Sequence, residues 1–285
     1  MTTSTSAMGQ KNTDAPCLKT VKTALVTGAA RRLGRAMALA LADAGWDIVL
    51  HYHRSKQAAQ ETAAQIRARG RQCHLVSVDL GAAALQPNQD RAERTATSPA
   101  ALLFKQALEQ APSIDLLVNN ASLFEYDSAA AFDPALLQQH LGPNLIAPLQ
   151  LTQLFSEQKQ FSPAVQHGVV VHLLDQKLWH LNPDFFSYTL CKAALKAAVT
   201  MQAQALAPKI RVMGIAPGLT LPSHLQSQAD FERTHQMAPL GQASSPTDIC
   251  QTLLYIVHTP SLTGSTIIVD GGQHLMGLER DFSLL

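Results

Sequence analysis

Nowhere does this chain run through about 18 consecutive apolar residues, the length of a membrane-spanning helix, so no membrane span is expected. Neither sign of charge is in excess. With 22 Lys and Arg against 21 Asp and Glu, the formal net charge is +1, which gives no electrostatic case for nucleic acid or an anionic membrane as a partner. Charged residues make up only 15% of the 285 while hydrophobic ones reach 46%, a balance that excludes a disordered chain and suits a sizeable core. Cysteine is scarce too. Cys17, Cys73, Cys191 and Cys250 stand far apart without a CxxC or CxxH pair, so reduced structural thiols are expected and a metal site is not. Residues 1–20 are polar and Ser/Thr-rich and lack the apolar segment of a signal peptide, which predicts a flexible extension on a cytoplasmic protein.

From Lys22 onward, β-rich apolar runs alternate with helical stretches: KTALVT, LGRAMALALADAGW, DIVLHYH, KQAAQETAAQIRARG and RQCHLVSVDL. This βαβαβ order implies a parallel sheet with helices on both faces. Further strands are predicted at 114–119, 168–174, 210–214 and 265–269, with helices over 185–207 and 246–258, giving a doubly wound, Rossmann-type α/β sheet of seven strands. No internal repeat and no Pro-, Gly- or Ser-rich linker divides residues 21–285, so one domain is expected. Two segments break the rhythm. Residues 81–98 read as an extended surface loop, and 217–244, with Pro217, Pro222 and Pro239, as a long loop of the kind that often closes over substrate.

The first strand runs into Thr27-Gly28-Ala29-Ala30-Arg31-Arg32-Leu33-Gly34 and then an Ala/Leu-rich helix. A glycine-containing turn there lets backbone N–H groups and the helix dipole face a pyrophosphate, although alone it could be an ordinary turn. The second strand ends in His51-Tyr52-His53-Arg54-Ser55, where an acidic residue would suit the ribose hydroxyls of NAD. A cationic Arg54 beside the Ser55 hydroxyl favours the extra phosphate of NADP, so NADPH is the expected cofactor; a solvated basic strand end is the plainer reading. Asp79, at the end of the third strand, could bond adenine or be one of the acidic residues common at strand ends.

Tyr188 and Lys192, four residues apart in a predicted helix, share one face. A nearby ammonium is expected to lower the phenol's pKa and make it a usable general acid. YxxxK alone says little, but here it follows Asn119-Asn120-Ala121-Ser122 after the fourth strand and Leu174-Asp175 after the fifth.

Together these residues resemble the short-chain dehydrogenase/reductase family from about Lys22 to Gly272. The chain keeps Thr27-Gly28, Gly34, Asn119-Asn120-Ala121, Tyr188, Lys192, Pro217-Gly218 and Val269-Asp270-Gly271-Gly272. It departs from the family pattern where Arg32 replaces the middle glycine of the turn, Ser122 replaces the glycine of NNAG, and Asp175 replaces a serine 13 residues before Tyr188. Those departures, with HYHRS and with Phe124 following the NAS segment, are similar to the pteridine reductase branch.

The resemblance implies an NADPH-dependent reductase of dihydropteridines (dihydrobiopterin, dihydromonapterin or dihydrofolate) acting as a homotetramer that pairs helices including the Tyr188 helix. It implies cofactor contacts at Gly28, Arg31, Arg32, Leu33, His53, Arg54, Ser55, Asp79, Leu80, Asn120, Ala121, Ser122, Tyr188, Lys192, Pro217, Gly218 and Leu219. Substrate contacts fall to Arg32, Ser122, Phe124, Asp175 and Tyr188, and Asn144 would support Lys192 through water. Reducing a ring C=N bond needs hydride on carbon and a proton on nitrogen, so an Asp175–Tyr188 pair suits it better than the serine that suits a carbonyl. Phe124 could stack on the flat heterocycle or be a core aromatic, and Arg32 could touch both pterin and phosphate or phosphate alone. Cys191 reads as packing, and His172 and His180 show no ligand spacing. Two alternatives stand: a reductase of another carbonyl or imine, and a catalytically silent NADP-binding regulator. The tail GLERDFSLL matches nothing in the family pattern, although family tails can approach a neighbouring active site.

Overall fold

The computed structural model describes residues 21–81, 96–223 and 225–285. The extension at 1–20, with Cys17, and most of the loop read at 81–98 lie outside these residues. Seven strands form one parallel sheet: β1 (Lys22–Val26), β2 (Trp46–Tyr52), β3 (Cys73–Ser77), β4 (Leu116–Asn119), β5 (Gly168–Leu173), β6 (Ile210–Pro217) and β7 (Thr266–Val269). Their order is β3-β2-β1-β4-β5-β6-β7, the Rossmann-type arrangement that the alternating pattern predicts. The described helices are α1 (Arg32–Asp43), α2 (Lys56–Ala68), α3 (Pro99–Gln110), α4 (Pro134–Leu141), α5 (Ala147–Glu157), α6 (Phe186–Leu206), α7 (Gln228–Gln236) and α8 (Pro246–His258).

Strands buried on both faces need apolar residues at every position, and successive side chains serve opposite cores. In β1, Ala24 and Val26 pack with Met37 and Leu41 of α1, Ile66 of α2 and Leu253 of α8. Leu25, between them, packs with Leu103 of α3, Phe155 of α5 and Leu195 of α6. Fully burying each such side chain contributes about 1.5–3 kcal/mol, so the two cores hold the sheet rigid under the site. Helix starts follow local chemistry: Ser98 caps α3, and Ser245 with Asp248 forms a capping box on α8 behind Pro246.

The loop predicted over 217–244 is corrected by α7. Thr234 is its one buried residue, so it carries no apolar stripe to betray it. Capping by Ser227 and a Gln228–Glu232 pair one turn apart support it instead. The strand order reverses between β1 and β4, and there a crevice opens beyond the carboxyl ends of the strands. Among the described residues no helix is long and apolar enough to cross a membrane.

Candidate active site

The turn after β1 is built from backbone and two polar side chains. Thr27 Oγ1 donates to the Val118 carbonyl at 3.2 Å and accepts from the amides of Asn120 and Ala121, both at 2.9 Å. The Asn120 side chain donates back to the Thr27 carbonyl at 2.8 Å, so the ends of β1 and β4 are locked together. Gly28 has φ +64°, a conformation glycine adopts without steric cost. A Cβ on Gly34 would lie 2.3 Å from the Gly28 carbonyl oxygen, so this glycine lets α1 approach the turn.

Beneath the turn lies His51, to which the sequence reading gave no role. Its Nδ1 accepts from the Gly28 amide at 3.1 Å and its Nε2 donates to the Val78 carbonyl at 3.0 Å. Burial pushes it down to about 4, so it is neutral and the proton sits on Nε2. The available signal was a histidine directly after the apolar run Ile48–Leu50 of a strand buried on both faces.

A cleft of about 850 Å³ runs from this turn past the end of β2. Gly28, Arg31, Arg32 and Leu33 line one side, Asn120, Ala121 and Ser122 another, and His53, Arg54, Ser55, Asp79 and Leu80 the far end. Arg54 is exposed at that end, and His53 Nε2 stands 3.5 Å from Asp79 Oδ2, whose other oxygen accepts from the Gly81 amide. A dinucleotide fits the arrangement: glycine where side chains would block approach, a helix N-terminus, and a guanidinium at the ribose end.

A second cavity of about 290 Å³ adjoins the first and shares Arg32, Asn120, Ser122 and Phe124 with it. Tyr188 Oη donates to Asp175 Oδ2 at 2.9 Å, and Asp175 Oδ1 accepts from the Lys177 amide, also at 2.9 Å. Burial, with Asp281 also contributing, raises Asp175 above the usual carboxylate range, against the pull of the Lys177 amide. Lys192 is buried; its Nζ donates to the Leu173 carbonyl at 2.7 Å, and burial lowers it to about 8.

The expectation that Lys192 lowers the pKa of Tyr188 is corrected here. Burial, and then the Asp175 carboxylate, push the phenol well above its ordinary value. Lys192 Nζ, 5.7 Å from the Tyr188 ring centroid, bonds the Leu173 carbonyl and does not offset both. Tyr188 is therefore held as a neutral phenol, a donor rather than a phenolate.

Phe124 packs flat on Phe185 at 4.0 Å between centroids, and edge-on to Tyr188 at 4.8 Å. It is thus a packing aromatic on one side while lining both cavities. Asn144, in a π-helical turn between α4 and α5, bonds at both amide ends to the Leu123 backbone at 2.9 Å, so it fixes the segment carrying Ser122 and Phe124. Pro217, Gly218 and Leu219 line the second cavity, and Gln273 Oε1 accepts from the Leu219 amide at 2.8 Å.

Arg32 opens α1 at φ +52°, a left-handed conformation unusual for a side-chain-bearing residue. Its guanidinium donates to the carbonyls of Pro222 at 2.8 Å and Leu221 at 3.4 Å, tying the phosphate turn to the segment after β6. Asp281, Phe282 and Ser283 of the C-terminal tail also line the second cavity, of their own chain. Sequence reasoning missed them, because contacts between residues so far apart leave no local period. Cys191 is buried, and burial pushes its thiol up to about 11, in keeping with packing.

Comparison with known proteins gives this geometry a family. The short chain dehydrogenase family model matches residues 22–233. The chain belongs to the short-chain dehydrogenase family. It is 31% identical to pteridine reductase 1 of Leishmania tarentolae, the match covering 90% of this chain and 97% of that protein. It is 30% identical to a 3-oxoacyl-[acyl-carrier-protein] reductase of Synechocystis, covering 89% and 97%. Among solved structures it is similar to FolM alternative dihydrofolate reductase 1 from Brucella canis, complexed with NADP, at 40% identity and a TM-score of 0.79, covering 90% of this chain and 95% of that one. The Brucella suis counterpart is 39% identical with a TM-score of 0.75. As a member of this family, similar to structures complexed with NADP, the chain is an NADPH-dependent oxidoreductase.

Proposed function

We propose that this short-chain dehydrogenase reduces dihydropteridines to their tetrahydro forms, with Asp175 and Tyr188 as the proton-donating pair. The observation that carries the reading is the 2.9 Å bond between Tyr188 Oη and Asp175 Oδ2 in a cavity continuous with the cofactor cleft and walled by Phe124. The names of two relatives, a pteridine reductase and an alternative dihydrofolate reductase, support it.

Bound NADPH supplies hydride. The residues that would hold it are Gly28, Arg31 and Leu33 at the pyrophosphate, Arg54 and Ser55 at the 2′-phosphate, Asp79 and Leu80 at adenine, and Pro217 to Leu219 with Lys192 at the nicotinamide side. Tyr188 donates a proton to the ring nitrogen next to the reduced carbon, and Asp175, whose proton affinity burial raises, passes a proton taken up from solvent back to it. Ser122 and Arg32 orient the heterocycle, and the free edge and face of Phe124 limit where its plane can lie. The protein acts, in this reading, as one cytoplasmic reductase domain over 21–285, assembled through α6, where Leu190 and Met201 are exposed.

The acyl reductase relative favours a second reading, a ketone reductase. Asp175 weighs against it, since a carbonyl oxygen needs only a hydroxyl donor there. The test is NADPH consumption with dihydromonapterin, dihydrobiopterin, dihydrofolate and a 3-oxoacyl thioester, comparing the native chain with Tyr188→Phe and Asp175→Ser. Turnover of a pterin that falls by about 10²–10⁴ in both variants is expected, the scale of a general acid. Turnover of the thioester alone, or pterin turnover untouched by Asp175→Ser, would overturn the reading.

A further inference from the structure

The C-terminal tail is held by charge rather than by apolar packing alone. Arg280 Nε donates to Asp184 Oδ2 at 2.7 Å, and the Asp281 amide donates to the same oxygen at 2.9 Å. Lys177 Nζ reaches Asp281 Oδ2 at 3.1 Å and also donates to the Asp184 carbonyl. The Lys177 side chain is only 3% exposed. An ammonium so buried needs an anion and a carbonyl in place, and Asp281 is the carboxylate that supplies the charge. Burial of Lys177 and docking of the tail are therefore one event.

The same lysine is tied to the chemistry. It follows Asp175 by two residues in a short turn, and its amide holds Asp175 Oδ1 at 2.9 Å while the other oxygen meets Tyr188. Farther along, Gln226 donates to the Phe282 carbonyl at 3.1 Å and Arg233 of α7 to that of Leu285, so the segment after β6 and the tail are tied together. Asp281, Phe282 and Ser283 then form the pocket wall.

We propose that Lys177 and Asp281 form a charge latch by which the chain's own C-terminal tail closes the substrate pocket and keeps Asp175 aligned with Tyr188. Asp281 is a positioning residue, and the inference rests on the reading of Asp175 and Tyr188 as the proton-donating pair. With Asp281→Asn the latch loses its charge but keeps its shape, so substrate KM rises and kcat falls, while NADPH affinity, set mainly by the pyrophosphate and 2′-phosphate contacts in the other cleft, stays put.

The test compares the native chain, Asp281→Asn, Asp281→Glu and Arg280→Ala by amide hydrogen exchange of residues 278–285 and 174–180, by NADPH titration, and by KM and kcat on a dihydropteridine. Expected in Asp281→Asn are about tenfold faster exchange in both segments and about tenfold loss in kcat/KM, the scale of one charge-assisted hydrogen bond. Unchanged NADPH binding and partial rescue in Asp281→Glu complete the expectation. Unchanged exchange overturns the latch, and faster exchange with unchanged KM and kcat overturns its role in the pocket. Should Asp281→Asn fail to fold, Arg280→Ala loosens the tail while the Tyr126 hydroxyl and the Asp281 amide still bond the Asp184 carboxylate, and its exchange decides. Exchange needs no substrate, so a native chain that turns over no pterin sinks the proposed function while the latch is still judged.

Discussion

The two halves of the site are built by different means. The cofactor cleft is a backbone device: Gly28, Gly34, the Thr27 hydroxyl and the neutral ring of His51 shape one turn between adjacent strands. The proposed substrate pocket is a side-chain device in which Asp175, Lys177 and Tyr188, close together in sequence, face Asp281 of the distant C-terminal tail in low dielectric. A backbone cradle serves any substrate that the family reduces, whereas buried charges arranged by tertiary contacts set proton chemistry and choice. The cleft should therefore tolerate changes in the pocket, and the reverse should fail.

Acid breaks the comparison with the largest effect. His51 under the cleft and His172 between Asn119 and Gln202 are each lowered by burial from 6.5 to about 4. Unfolded, both bind protons below about 6.5, so stability is fully present above that pH and is lost as pH falls toward 4, by about 3 kcal/mol per histidine. Asp175, raised in the folded state, runs the other way and gains stability as pH falls. Denaturant unfolding from pH 7 to 4 should show a net loss, with a shallower pH slope in His172→Gln. A flat profile would mean that these rings are charged in the native protein.

A smaller effect sharpens the cofactor half. Arg54→Ala removes the guanidinium at the ribose end, and NADPH affinity should fall by about 10- to 100-fold, the worth of a charge-assisted contact, with NADH affinity nearly unchanged. Titration of both nucleotides measures this. Equal losses for the two would assign Arg54 to some other part of the cofactor.

How much of this was legible before folding follows the same division. All seven strands and the phosphate turn could be read, because parallel strands buried on both faces are continuous apolar runs and glycine marks where a side chain cannot fit. The Asp175–Tyr188 pair was legible through the family spacing. The state of Tyr188 was not, since four-residue spacing says which face the ammonium shares but not that its Nζ turns to Leu173. α7 was hidden because capping, not an apolar stripe, supports it, and the tail because Asp281 meets a lysine 104 residues away.

The smallest expected effect lies where the two halves touch. Arg32 stands at φ +52° in the turn, where glycine would be unstrained, and a left-handed side-chain-bearing residue costs roughly 1–2 kcal/mol. Its return is two exposed hydrogen bonds to Leu221 and Pro222, which link the backbone-built cleft to the side-chain-built pocket. Arg32→Ala loses those bonds and keeps the strain, while Arg32→Gly loses the bonds and the strain together. The glycine variant should therefore be the more stable of the two by about 1 kcal/mol, less the extra entropy of glycine in the unfolded chain. Both should weaken NADPH equally, because both lack the cation. Thermal unfolding of the pair isolates the backbone contribution, and an alanine variant as stable as the glycine one would mean that the turn relaxes once the guanidinium no longer holds it against the segment after β6.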